Sequence, residues 1–147
     1  MAVMKKRKAQ PEITYSHPDG GSIDNPSLEE LRKLILHGDE EYWQGGSGEG
    51  SLETTINGRL VSLSLMLEEP YGFLLMGLEE DSTDHYMSES SDDYSTTVTH
   101  YYEGEPWVVP TAFFVSRELA LEAAQEFCRS GHRSKSIKWV LLGDREW

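Results

Sequence analysis

Trp107-Val-Val-Pro-Thr-Ala-Phe-Phe-Val115, then Ser116 to Gly131, then Ile137-Lys-Trp139-Val-Leu-Leu142 decide the fold class. They read as an apolar strand, a helix with clear start and stop signals, and a second apolar strand. Ser116 suits an N-cap, because its hydroxyl can accept from a free first-turn amide. Glu118 lies in that first turn, where the helix dipole favours a negative charge. Leu119, Ala123 and Phe127 recur every fourth residue, as do Ala120, Ala124 and Cys128, so one helical face is apolar. Gly131 is placed for a left-handed stop. The alanines keep the helix thin enough to lie close on a sheet, and Trp139 offers that contact the largest apolar surface.

Working outward, the rest of the chain supplies more strands. Asn57-Gly58 sits between Ser51–Ile56 and Arg59–Leu67, and this dipeptide tolerates the positive φ angles of a type I′ hairpin turn. Phe73 to Leu78 is nearly all apolar and fits a central strand. Tyr94 to Tyr102 alternates like a strand, and Glu103-Gly104-Glu105-Pro106 turns it back towards Trp107. Nearer the start, Glu12–Tyr15 reads as a short strand and Glu40–Trp43 as another. Asn25 and Pro26 are expected as N-cap and first residue of a helix that ends at His37-Gly38. Residues 79–93 are acidic and serine-rich and read as a loop. The Gly-rich run Gly45 to Gly50 lacks the Lys-Ser/Thr ending of a phosphate loop and reads as a flexible turn. Residues 1–10 read as a disordered basic tail, and 11–147 as one domain. The expected class is α+β: a single antiparallel sheet of five to seven strands with two main helices on one face.

Charge restricts function more than length does. The 147 residues carry a net charge of −13, and Lys5, Lys6, Arg7 and Lys8 hold four of the thirteen basic groups. No Lys or Arg occurs between Arg59 and Arg117, a window that holds eleven acidic residues: Glu68, Glu69, Glu79, Glu80, Asp81, Asp84, Glu89, Asp92, Asp93, Glu103 and Glu105. Such a field repels phosphate backbones and draws in basic partners. Direct nucleic-acid binding is therefore disfavoured. No apolar run approaches the roughly 20 residues of a membrane span. Tyr71, Tyr86, Tyr94, Tyr101, Tyr102 and Trp107 fall in the same window, and Tyr and Trp are favoured anchors in interfaces.

Signs of chemistry are sparse. The five histidines show no HxH or HExxH spacing. Asp81, Asp84 and His85 lack the glycine and terminal glutamate of a calcium loop. Cys128, the only cysteine, sits on the apolar helix face and reads as a core residue. No cofactor, metal or catalytic residue is expected. A small enzyme or metal-binding domain built on His85, His100 and nearby carboxylates is the alternative of a different class.

The run Tyr101-Tyr102-Glu-Gly104, Pro110, Ser116, Ala120, Ala123-Ala124, Phe127, Gly131, Ile137-Lys138-Trp139 is similar to the C-terminal signature of immunity protein family 1 of bacterial polymorphic toxin systems. Arg133 matches the family pattern, and Ser134 stands where proline is usual. The resemblance marks Phe127, Gly131 and Trp139 as fold residues. It implies an α+β fold and a cytoplasmic protein that binds and neutralises a cognate toxin. Toxins of this group often carry nucleic-acid deaminase domains, which need a basic groove and a pocket for a flipped base. Occlusion of that groove by an acidic surface is the implied mechanism. Contacts are expected at Glu79, Glu80, Asp81, Asp84, Asp92, Asp93, Tyr94 and Trp107. An acidic nucleic-acid mimic that inhibits a nuclease is the alternative partner class.

Overall fold

A central strand buried on both faces sets the architecture. The computed structural model describes residues 11–79 and 84–144. In chain order the strands are β1 (Thr14–Ser16), β2 (Ser22–Asp24), β3 (Gly50–Ile56), β4 (Arg59–Glu68), β5 (Gly72–Leu78), β6 (His85–Glu89), β7 (Thr97–Tyr102), β8 (Glu105–Pro110), β9 (Phe114–Val115) and β10 (Lys138–Leu141). The helices are α1 (Leu28–His37), α2 (Glu40–Gln44) and α3 (Arg117–Ser130). The main sheet is antiparallel in the order β10-β6-β5-β4-β3-β1-β2, with β9 also paired to β5, which makes eight strands. β7 and β8 form a separate hairpin. The α+β class expected from sequence holds. The sheet has eight strands rather than five to seven, a third, short helix joins the two main ones, and a second two-stranded sheet stands apart.

Alternation along the strands sends side chains to two cores. Leu63, Leu65 and Leu67 of β4 and Phe73 and Leu75 of β5 face the helices, where Leu31, Ile35, Trp43, Ala120, Ala124 and Phe127 meet them. Met66, Leu74, Met87 and Val140 point the other way, towards Val109, Phe113 and Phe114. β5 feeds both cores, which is why its sequence is nearly all apolar. Trp43, fully buried, is the hub of the helical side. Its indole donates to the Leu34 carbonyl at 3.0 Å, and its ring meets Phe73 edge-on at 4.7 Å.

Four local expectations change, each for a physical reason. The N-cap of α1 is Ser27, not Asn25: Ser27 and Glu30 exchange side-chain bonds with each other's backbone amides, both at 3.0 Å. Asn25 instead turns the chain at φ 51° and accepts from Ile13 N at 2.9 Å. Residues 40–44 form a helical turn and not a strand, because Asp39 accepts from Tyr42 N at 2.8 Å and starts it. The run Trp107–Val115 is not one strand. Thr111–Phe113 form a 3-10 turn that carries the chain from β8 in the hairpin to β9 beside β5. Finally, residues 85–89, expected within a loop, form β6 between β5 and β10.

α3 matches its sequence signals. The Ser116 hydroxyl accepts from Leu119 N at 3.2 Å, and Gly131 takes φ 75° while its amide bonds to the Phe127 carbonyl. Arg117 puts a positive charge at a helix N-terminus, against the dipole, yet its guanidinium bonds the α1-end carbonyls of Ile35 at 3.1 Å and Gly38 at 2.7 Å and pairs with Glu69. It therefore locks α3 to α1. At Gly131 any added Cβ would strike Ile56 Cδ1, and the left-handed backbone adds strain of its own. Gly131→Ala is expected to lower stability by about 1–2 kcal/mol or more, read by urea denaturation.

Candidate functional site

The three helices cover one face of the sheet, and the hairpin covers only part of the other. On that second face, alternation presents Ser51 and Glu53 of β3, Leu60, Ser62 and Ser64 of β4, and Met76 and Leu78 of β5. Most of these are half-buried, and Leu60 is exposed. None is a Lys or Arg. The hairpin stands beside this open strip. Its inner side carries Val98, His100 and Tyr102 against Val109, Trp107 and Glu105, and its outer side carries the exposed Tyr101 and Val108.

His100 pins the hairpin in place. It is only 1% exposed, with Nδ1 2.8 Å from Glu68 Oε1 and Nε2 2.9 Å from the Gly48 carbonyl. A single ring thus ties β7 to the end of β4 and to the Gly-rich loop. The loop itself is held: Glu103 N donates to Ser47 O at 2.9 Å, and Ser47 N to Pro18 O at 2.9 Å. At Gly48, φ 78° brings the backbone so close to the Tyr101 carbonyl that no side chain fits. The run expected as a flexible turn is therefore the seat of the hairpin.

Between hairpin tip and sheet lies a groove of about 290 Å³, lined by Glu49, Ser64, Met66, Met76, Tyr102, Glu105, Pro106 and Trp107. Ser64 donates its hydroxyl to the Glu49 carboxylate. The Tyr102 phenol is pushed up to about 12, chiefly by the Glu49 charge and then by burial. The floor is methionine and indole, and the rim is carboxylate.

The residues singled out from sequence do not converge. Trp107 lines this groove. Asp84 lines another, with His85 and residues 141–144. Asp93 lines a third, with Tyr71 and Thr111, and its carboxyl lies below the usual range because Ser95 donates to it. Asp92 is exposed beside it. Glu79 accepts from Arg133 Nε at 2.6 Å, and Arg133 lies 3.6 Å over the Tyr86 ring, so this carboxylate holds the turn after α3. Tyr94 donates its hydroxyl to buried Glu89, which also pairs with Lys138 at 2.8 Å. Glu80 and Asp81 lie outside the described residues, as do residues 1–10. Phe127, Gly131 and Trp139 occupy fold positions: Phe127 is core, and Trp139 Nε1 donates to the Ser134 carbonyl at 2.9 Å. Glu49 and Met66 were missed. Glu49 lies in the Gly-rich run, and Met66 reads as the polar-phase residue of an apolar strand. Only the register that sets them beside the hairpin reveals them.

The alternative of an enzyme or metal-binding domain was placed on His85, His100 and nearby carboxylates. His85 and His100 line no common site, and among the described residues no three His, Cys, Asp or Glu side chains are grouped to hold a metal ion. Burial pushes the Cys128 thiol up to about 11. At pH 8 the folded protein is therefore expected to react with iodoacetamide well over tenfold more slowly than the urea-unfolded chain. No helix among the described residues is long and apolar enough to cross a membrane.

An acid-rimmed groove beside a half-open sheet face thus lies on a domain of α+β class. The family model described as Immunity protein Imm1 matches residues 20–141, and the chain belongs to that family. It is thus an immunity protein, a class that acts against toxins. No curated protein and no solved structure matched the chain.

His100→Ala removes a donor from the Gly48 carbonyl and strands Glu68. It is expected to lower stability by about 1–3 kcal/mol. Hydrogen exchange is expected to rise selectively over residues 97–110, and a uniform rise across the whole sheet would show that the ring does not specifically hold the hairpin.

Proposed function

We propose that this immunity protein neutralises a nucleic-acid deaminase toxin by seating its helix-free face over the toxin's basic substrate groove. The observation that carries the reading is the acidic bias of the open strip over β3 and β4 and of the hairpin beside it. Glu49, Glu53, Glu103 and Glu105 gather around an open sheet strip and a hairpin, and the chain offers no Lys or Arg from Leu60 to Ser116. A deaminase groove that tracks a phosphate backbone is positively charged, and complementary fields speed encounter and fix orientation. Exposed Tyr101 and partly covered Trp107 supply the aromatic surface that anchors interfaces. Further contacts fall at Asp84, Asp92 and Asp93, with Glu80 and Asp81 in the adjoining segment. Glu79 and Tyr94 take part by holding the neighbouring turns. The protein works in the cytoplasm, as one domain from residue 11 onward, with no cofactor and no nucleic acid of its own. Its action is occlusion: the carboxylates meet the toxin's Lys and Arg, and the hairpin covers the pocket.

The test uses the purified toxin domain encoded beside this chain's gene. Stoichiometric loss of its deaminase activity is expected on adding the immunity protein. Changing Glu103, Glu105, Asp92 and Asp93 together to Lys should slow association at least tenfold at low salt, with the difference shrinking at 0.5 M salt. A toxin domain with nuclease activity instead would replace the deaminase assignment with the nucleic-acid-mimic one. Unchanged association after the charge reversals would move the contact surface elsewhere.

A further inference from the structure

We propose that the groove between the hairpin tip and strands β4 and β5 is a socket for one lysine or arginine side chain of the toxin. This rests on the functional reading above and assigns it a specific anchor point.

The groove is chemically divided. Met66, Met76, Pro106 and Trp107 give it an apolar floor, and Glu49 and Glu105 stand at its polar side, with Tyr102 opposite Glu105 in the hairpin register. No basic residue lines it. At about 290 Å³ it lies at the bottom of the range of ligand pockets, with room for a long side chain rather than a folded segment. A wholly apolar occupant would take the two carboxylates out of water without a countercharge, at a heavy cost. A phosphate-bearing occupant would meet like charge. A lysine or arginine satisfies both halves: its methylene stem lies on apolar surface while its head reaches the carboxylates. The indole of Trp107 adds a face on which a cation is attracted. The negative potential is already felt inside the groove, since the Glu49 charge is the main reason that the Tyr102 phenol resists ionisation. The socket is also held rigid. His100 fixes the hairpin above it, and Ser64 fixes the Glu49 carboxylate.

Two measurements test this. In the first, n-butylguanidinium chloride is titrated into the protein and the methyl signals of Met66 and Met76 and the indole signal of Trp107 are followed by NMR. Saturable shifts are expected, at least fivefold weaker in the Glu49→Gln/Glu105→Gln variant and absent with n-butanol. Equal shifts with butanol, or none with butylguanidinium, overturn the socket. In the second, affinity for the neighbouring toxin domain is measured for wild type, for that double variant and for Met76→Trp, which fills the floor without changing charge. Both variants are expected to bind at least tenfold more weakly, with thermal melting confirming that each is folded. If wild type binds and inhibits the toxin while both folded variants bind as tightly, the socket is wrong and the functional reading stands. If wild type fails to bind a deaminase toxin, that reading falls, and the toxin side chain is lost as the occupant.

Discussion

The fold depends on one strand being dry on both faces. β5 contributes Phe73 and Leu75 to the helical core and Leu74 to the other. A strand of that composition demands cover above and below. Helices supply the cover on one side in the usual way for an α+β domain. On the other side the cover is small: one hairpin, one 3-10 turn and the short β9. It reaches Leu74, Met87 and Val140 and stops short of Ser62 and Ser64. The sheet is therefore closed over the first half of β5 and over Met87 of β6, and open over part of β3, β4 and the end of β5. That unequal cover creates the exposed strip and the groove at its margin.

The hairpin owes its position to polar contacts as much as to apolar ones. Val98, Val109 and Trp107 pack on the second core, and His100 is clamped between a carboxylate and a carbonyl. Buried polar groups are expensive unless satisfied, so such a clamp admits few alternative geometries. It gives the Gly-rich run a structural meaning. Only a residue without a side chain allows Gly48 to approach the Tyr101 carbonyl, and that approach brings the loop to His100. The acidic surface then has a rigid support, which suits a protein whose work is to hold a complementary surface in one orientation.

Much of the framework was legible in the sequence. α3 announced its cap, its apolar face and its stop, because those signals depend on neighbours three or four residues away. The Asn57-Gly58 hairpin was legible for the same reason, and β5 showed its centrality by composition. β6 was not. His85-Tyr-Met-Ser-Glu89 contains a serine and a glutamate that are buried in the structure. Ser88 takes the Leu75 amide and reaches the Phe113 carbonyl, and Glu89 meets Tyr94 and Lys138. All of these partners but Tyr94 are distant in sequence, so no local pattern could reveal a strand there. The groove was hidden in the same way: of its lining residues, Trp107 alone stood out among the expected contacts.

The sequence by itself determined the α+β class, the principal helix, the main hairpin, the acidic window and the membership of an immunity protein family signalled by Phe127, Gly131 and Trp139. These rest on short-range spacing and on composition, which need no knowledge of what packs against what. Only the tertiary structure decided which face of the sheet stays open, which carboxylates are held in ion pairs and which line a groove. Glu79 and Glu49 look alike in sequence, yet one is bound to Arg133 and the other lines a groove. That distinction comes from strand register and long-range hydrogen bonds, and it exists only once the chain has closed on itself.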